Sequence, residues 1–182
     1  TVPELPWLRV LYTFPGFEAR KLAELMATTP NLLPYLDLPL QHASPSVLKA
    51  MLRPSEVGWV RKAIREMRTI LPELVIRTTF IVGFPNETEA DFEMLREFVE
   101  EIEFDHLGVF TYSPEEGTPA DSLGDPVPQE VKEARRFELM DLQSKISLRK
   151  QSSLIGNEFD MLVEGSDPAQ QVLVGRIWRD AP

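Results

Sequence analysis

The 182-residue sequence contains no cysteine and only two histidines, His42 and His106. Disulfides, zinc–thiolate sites and thiol nucleophiles are therefore excluded within this chain, and two histidines alone do not suggest a structural metal site. No stretch approaches the ~20 apolar residues that a membrane-crossing helix needs. Residues 1–6 (TVPELP) lack the basic stretch and apolar block of a signal peptide. The expectation is a cytoplasmic protein that does not engage a membrane. A GxSxG nucleophile elbow and a metal-binding histidine pair are also missing, which sets aside a small-molecule hydrolase. Positive charge is scarce: 19 Lys plus Arg against 29 Asp plus Glu give a formal charge of -10. Such a charge repels phosphate backbones, so nucleic acid is not expected as a direct substrate. A basic protein is a suitable partner, although solubility alone accounts for the same excess.

What is present is enough apolar residue for one substantial core and an alternating pattern. Residues 8–12 (LRVLY) read as a buried strand and 17–28 as a helix. Residues 35–40 (YLDLPL) read as a second strand, and Ser44-Pro45 as a helix start. The spacing of Val60, Ala63, Ile64, Met67 and Leu71 predicts a helix over 56–71 with one apolar stripe. The β-branched run 74–83 (LVIRTTFIVG) reads as a central strand. Thr88–Asp91 stand where a helix cap belongs, ahead of Phe92, Leu95, Val99 and Ile102 at helical spacing. Residues 105–112 (DHLGVFTY) give a fourth strand, and strands separated by helices imply parallel β-α units. A proline-rich, acidic loop over 113–128 precedes a long helix from about 129 to 153, with Leu139, Leu142 and Ile146 on one face. Two strands are then expected, at 158–164 and 171–176. The β-α pattern begins almost at residue 1 and the second pattern breaks off after two strands, so both ends look cut. The fold class is α/β: a partial barrel of parallel β-α units over residues 1–153, then the beginning of a β-rich domain over 154–182.

In such folds ligands gather at the carboxyl ends of the strands. Gln41 and His42 follow directly on the second strand, where an amide and an imidazole can hydrogen-bond a ligand's hydroxyls or carboxylate, or simply cap the loop. Arg77 lies inside an otherwise apolar strand with Thr79 on its own face and Thr78 on the other. A buried arginine needs an anion, either a ligand carboxylate or a structural salt bridge. Gly83-Phe84-Pro85 ends that strand, glycine permitting close backbone approach to a flat ligand. Glu115 and Glu116 are adjacent on the 113–128 loop; with nothing apolar to separate their acidities they suit contact with a cationic partner, or plain solvation, better than acid–base work. His106 reads as a satisfied core or edge histidine.

Four strings, YLDLPLQHAS (35–44), RTTFIVGFPNET (77–88), GVFTYSPEEGTPA (108–120) and GRIWRDAP (175–182), occur in an order that resembles the RimO-type radical-SAM methylthiotransferases. The resemblance covers nearly the whole chain. It implies a radical-SAM (TIM-like) barrel followed by the start of a TRAM (OB-like) module. It also implies an enzyme that adds a methylthio group to the β-carbon of an aspartate in a small-subunit ribosomal protein, a basic substrate. The cofactors implied are S-adenosyl-L-methionine, cleaved reductively to a 5′-deoxyadenosyl radical, and two 4Fe-4S clusters. On the resemblance, Gln41, His42, Arg77, Gly83 and Phe84 face the S-adenosylmethionine pocket, and Phe110, Tyr112, Glu115 and Glu116 form the substrate-facing rim.

Departures are equally plain. With no cysteine, neither cluster can be ligated by this chain, so the resemblance implies an excised, inactive piece of a longer enzyme. Asn86 stands where that family usually has glycine. The sister MiaB-type enzymes, which act on transfer RNA, typically have Ser-Gly in place of His42-Ala43, Thr-Asp in place of Thr78-Thr79 and Arg-Pro in place of Glu115-Glu116. A MiaB-like transfer-RNA enzyme, or a non-catalytic module holding a basic protein on its acidic face, are the alternatives.

Overall fold

The computed structural model describes residues 4–16 and 18–181. Strands β1 (Leu8–Val10), β2 (Leu32–Gln41), β3 (Val75–Val82) and β4 (His106–Thr111) form one parallel sheet in the order β1-β2-β3-β4. Between and after them run the helices α1 (Ala19–Thr28), α2 (Pro45–Ala50), α3 (Val57–Ile70), α4 (Glu89–Ile102) and α5 (Gln129–Ser152). The expected elements are all found. Phe17, the expected first residue of α1, lies outside the described residues.

Alternation decides which side of the sheet is dry. Leu36, Leu38 and Leu40 of β2, Ile76, Phe80 and Val82 of β3, and Leu107 and Val109 of β4 point to the helices. There they join Met26 of α1, Ile64 and Met67 of α3, Leu95 and Val99 of α4, and Leu139 and Ile146 of α5 in one continuous core. Phe80, Phe98 and Phe104 meet at its centre with ring centroids 5.7–6.3 Å apart, edge contacts that aromatic quadrupoles favour. Thr78 also faces the helices, and its hydroxyl is satisfied by donating to the Leu38 carbonyl at 2.7 Å. The opposite face carries Asp37, Arg77, Thr79, Ile81, His106, Gly108 and Phe110, and is far more open.

The amino ends of the strands are closed by the segment that follows the last strand. Trp178 packs with Trp7 against Leu33, Tyr35 and Val75, Arg9 donates to the Trp178 carbonyl at 3.1 Å, and His106 Nε2 lies 2.7 Å from the Arg179 carbonyl. His106 is thus a satisfied edge histidine. Strands β5 (Met161–Asp167) and β6 (Val172–Ile177) pair antiparallel, and β5 begins three residues later than the sequence suggested. The pairing requires Gly175 opposite Val163, because a Cβ there would stand 2.2 Å from the Leu162 carbonyl oxygen.

Candidate functional site

At the carboxyl end of β2 the chain reverses in a three-residue turn: the His42 N–H donates to the Leu40 carbonyl at 2.9 Å, and Gln41 at its centre has φ 71. A non-glycine residue at positive φ in such a turn is strained, and here it stands at a cavity. His42 lies behind it, fully enclosed. Its Nδ1 accepts from the Ser44 N–H at 2.9 Å, so the ring proton resides on Nε2. Nε2 faces the Glu87 carboxylate at 3.5 Å.

Glu87 organises the turn after β3. Its Oε2 accepts from the N–H groups of Gly83 (2.8 Å) and Phe84 (3.3 Å), and its Oε1 from Arg135 of α5 at 2.8 Å. This buried pair is fully hydrogen-bonded on the carboxylate side, the condition under which an enclosed ion pair is tolerated. Gly83, at φ 75, lies directly under the stem of Lys132. A Cβ there would sit 2.3 Å from Lys132 Cγ. The Lys132 ammonium, itself buried, donates to the Tyr112 carbonyl at 3.0 Å and pairs with Asp125. Asn86 has φ 70, a left-handed conformation that asparagine tolerates, so the departure from glycine at that position leaves the turn intact.

Asp91, at the start of α4, ties this turn to α2. Burial alone would raise its carboxyl. Hydrogen bonds from Ser44 (2.5 Å) and Ser46 (2.6 Å) and from the Thr88 side chain and backbone outweigh that and hold it well below the usual carboxylate range.

These turns frame a cavity of about 460 Å³ over the carboxyl ends of β2–β4. Its apolar wall is Met51, Ile81, Phe84, Phe110 and Tyr112, and Gln41 and Glu115 line it too. Phe84 and Tyr112 meet edge-on at 5.0 Å. Burial, with Asp125 and Asp121 nearby, pushes the Tyr112 phenol above its ordinary value, so its hydroxyl stays protonated and donates to the Ala120 carbonyl at 3.2 Å.

The structure therefore brings Gln41, Phe84, Phe110, Tyr112 and Glu115 to one cavity. His42 and Gly83 lie behind its wall, and Glu116 is solvent-exposed on the loop and does not line it. Arg77 sits one layer down. It is not enclosed, as its place in an apolar strand suggested. It lies on the open face of the sheet with its side chain 38% exposed and 3.9 Å from Asp37, its partner in register on β2. Sequence reasoning missed Glu87, Lys132, Arg135 and Arg53, which also lines the cavity. Glu87 lay within the string 77–88 and could have been suspected as the acid that a glycine-led turn requires. Lys132 and Arg135 are cations on the core-facing stripe of a helix, which only their distant partners explain.

Residues 3–99, more than half the chain, match the family model described as the Radical SAM superfamily. The chain belongs to the radical SAM superfamily. Among curated relatives, a protein of Thermosynechococcus vestitus named ribosomal protein uS12 methylthiotransferase RimO is 50% identical over 179 residues, 98% of this chain and 40% of that protein. A protein of the same name from Thermus thermophilus is 48% identical over 176 residues, 97% of this chain and 40% of that protein. The chain thus spans about two fifths of the length of these relatives. Among solved structures, the radical SAM enzyme coproporphyrinogen III oxidase (HemN) from Escherichia coli superposes with a TM-score of 0.57 at 19% identity, covering 88% of this chain and 34% of that one. That likeness establishes the radical SAM fold for the parallel sheet and its helices.

Radical SAM proteins use S-adenosylmethionine with a 4Fe-4S cluster. No cluster ligand exists among these residues, because the sequence holds no cysteine. S-Adenosylmethionine, by contrast, fits the cavity: flat aromatic faces for an adenine, an amide at Gln41 and charged groups at the margin. No described helix is long and apolar enough to cross a membrane.

Proposed function

We propose that this chain is part of a methylthiotransferase that modifies the β-carbon of an aspartate in ribosomal protein uS12. The observation that carries this reading is the near-complete match, at about half identity, to proteins bearing that activity in their names. Residues 1–153 are assigned to the barrel and 154–182 to the start of a TRAM-type module. The active enzyme would hold two 4Fe-4S clusters on cysteines outside this sequence and would work in the cytoplasm.

When bound, S-adenosylmethionine supplies the radical chemistry and the methyl group. What this chain's residues do is bind and orient. Phe84, Phe110 and Tyr112 offer apolar faces to an adenine, and Gln41, held in its strained turn, presents its amide at the strand end. His42 and Gly83 act from behind: with Glu87 they fix the two turns that carry Gln41 and Phe84. Arg77 remains a candidate for a ligand carboxylate, because the open face of the sheet leaves its guanidinium accessible. Glu115 and Glu116 set an acidic margin on the β4–α5 loop, which favours a lysine- and arginine-rich protein over RNA.

The test is modification by the gene's complete product after anaerobic assembly of its clusters, with reductant and S-adenosylmethionine, offered uS12 and transfer RNA separately. Mass spectrometry should find a methylthio group on uS12 and none on the RNA. The reverse pattern would replace this reading with the transfer-RNA one.

A further inference from the structure

Strands β5 and β6 pair with each other and, among the described residues, with no strand of the parallel sheet. The hairpin carries apolar side chains in the open: Leu162, Val163, Leu173 and Val174 are about half exposed or more. Residues 151–175 also hold four carboxylates, Glu158, Asp160, Glu164 and Asp167, and no lysine or arginine. Exposed apolar groups among acids suit a basic protein partner. A unit of this kind is expected to swing, because parts of one chain move relative to each other unless a large apolar interface holds them.

The segment that leaves β6 holds it instead. Over residues 177–181 it crosses the amino ends of the parallel sheet. Trp178 packs beside Trp7 on Leu33, Tyr35 and Val75, and its carbonyl accepts from Arg9. The Arg179 carbonyl accepts from His106 Nε2 at 2.7 Å. The Arg179 guanidinium donates to the Glu73 carbonyl at 3.2 Å and to Asp105 Oδ1 at 3.4 Å. Asp105 makes this more than a surface contact, for its side chain is only 9% exposed. Its Oδ2 accepts from the Ile76 N–H at 2.9 Å, and its Oδ1 pairs with Lys150 of α5 at 2.9 Å as well as with Arg179. One carboxylate thus joins the central strand, the last helix and the crossing segment. An enclosed carboxylate is tolerated only when well partnered, so lifting the segment takes a cation from Asp105 and uncovers Trp178 in the same step.

We propose that residues 177–181 are a strap, pinned by Arg179 to Asp105, that holds the β5–β6 hairpin in one orientation so that uS12 meets hairpin and barrel together. The choice of partner rests on the function proposed above. A second surface held in place raises the effective concentration of a partner at the first without any new contact, and a loose one forfeits that gain. Arg179 and Asp105 are then positioning residues for the protein substrate. No strap residue lines the cavity at the carboxyl ends, so cofactor cleavage does not depend on the strap.

The experiment uses the complete, cluster-assembled gene product, as wild type and with Arg179→Ala, Arg179→Lys or Asp105→Asn. Hydrogen exchange over residues 172–181, read by mass spectrometry, shows whether the strap lifts. Initial rates against uS12 concentration, and 5′-deoxyadenosine formed without uS12, show what lifting does. Arg179→Ala should speed exchange over 177–181 and raise KM for uS12 about tenfold, with kcat and 5′-deoxyadenosine formation as in the wild type. Arg179→Lys should recover part of the loss, because charge is kept while the planar fork is not. Asp105→Asn should follow Arg179→Ala; should it fail to fold, Arg179→Ala alone decides, since it removes only a side chain on the outside of the sheet's end. Unchanged exchange in Arg179→Ala overturns the pin, and faster exchange at an unchanged KM overturns the coupling. A parallel fall in kcat and 5′-deoxyadenosine formation overturns it too, because the barrel itself is then what was damaged. A wild type that leaves uS12 unmodified overturns the functional reading and the strap's partner with it, whereas the other three results overturn the strap alone.

Discussion

Lys132 and Gly83 depend on each other. The lysine is buried to its ammonium only because the residue beneath its stem has no side chain, and the ammonium then holds the Tyr112 carbonyl and Asp125. Gly83→Ala would force a Cβ into the lysine stem and place a side chain at φ 75. The expected cost is about 1–3 kcal/mol from the backbone conformation alone, read as a lowered midpoint in denaturant. A midpoint equal to the wild type's would show that Lys132 simply moves aside. At this scale the sequence was legible where chemistry is local. Gln41, Phe84 and Glu115 end strands or follow them, and strand ends were where ligands were sought; Phe110 and Tyr112 came from the family resemblance. It was silent on Glu87, Arg135 and Lys132. Their meaning lies in contacts 48 and 49 residues apart between α5 and the β3–α4 turn: Arg135 with Glu87, and Lys132 with Gly83. Nothing in periodicity records such contacts. Arg77 misled for a related reason: its neighbours along the strand are apolar, yet its own face is the open one.

The helices show where patterning suffices. In α3 and α4 the buried positions, the capping Asp91 apart, are apolar and recur at helical spacing, so both were readable to within a residue or two. In α5 the buried stripe runs Lys132, Arg135, Leu139, Gln143, Ile146, with polar groups at three of five positions, and only its carboxyl half announces a core face. The start of α4 was readable because Thr88 and Asp91 form a reciprocal cap, with the Thr88 hydroxyl accepting from the Asp91 N–H and Asp91 accepting from Thr88. What the sequence did not show is that Ser44 and Ser46 of the α2 turn also donate to Asp91, joining two helix starts through one carboxylate. Because this carboxyl is depressed in the folded protein, its stabilising effect is complete above the ordinary aspartate value and is lost as pH falls below about 4. Asp91→Asn should therefore cost about 1–3 kcal/mol at pH 7. The gap between variant and wild type should narrow on acidification from about pH 4. Thermal melts of both proteins across pH 3–7 check this; a gap that stays constant over that range contradicts the assignment.

For the whole molecule, one sheet separates two environments. Its helical face is a closed apolar core, legible in outline from strand–helix alternation. Its other face carries Asp37, Arg77, Thr79 and Phe110 and opens, at the carboxyl ends, on the aromatic-walled cavity. The packing of Trp178 and Arg179 over the amino ends was not legible, since a short polar strip has no period to read. The central claim is that the carboxyl-end cavity holds the cofactor of a radical SAM enzyme. Phe110 tests it best, because the residue is 62% exposed and belongs to none of the buried core clusters, while it lines the cavity. The measurement is the dissociation constant of S-adenosylmethionine for the complete gene product carrying Phe110→Ala, with Phe137→Ala, an exposed change on α5, as the control. Loss of one aromatic–base contact predicts about five- to a hundredfold weaker binding for Phe110→Ala and no change for Phe137→Ala. Equal affinity of Phe110→Ala and the wild type would contradict the account.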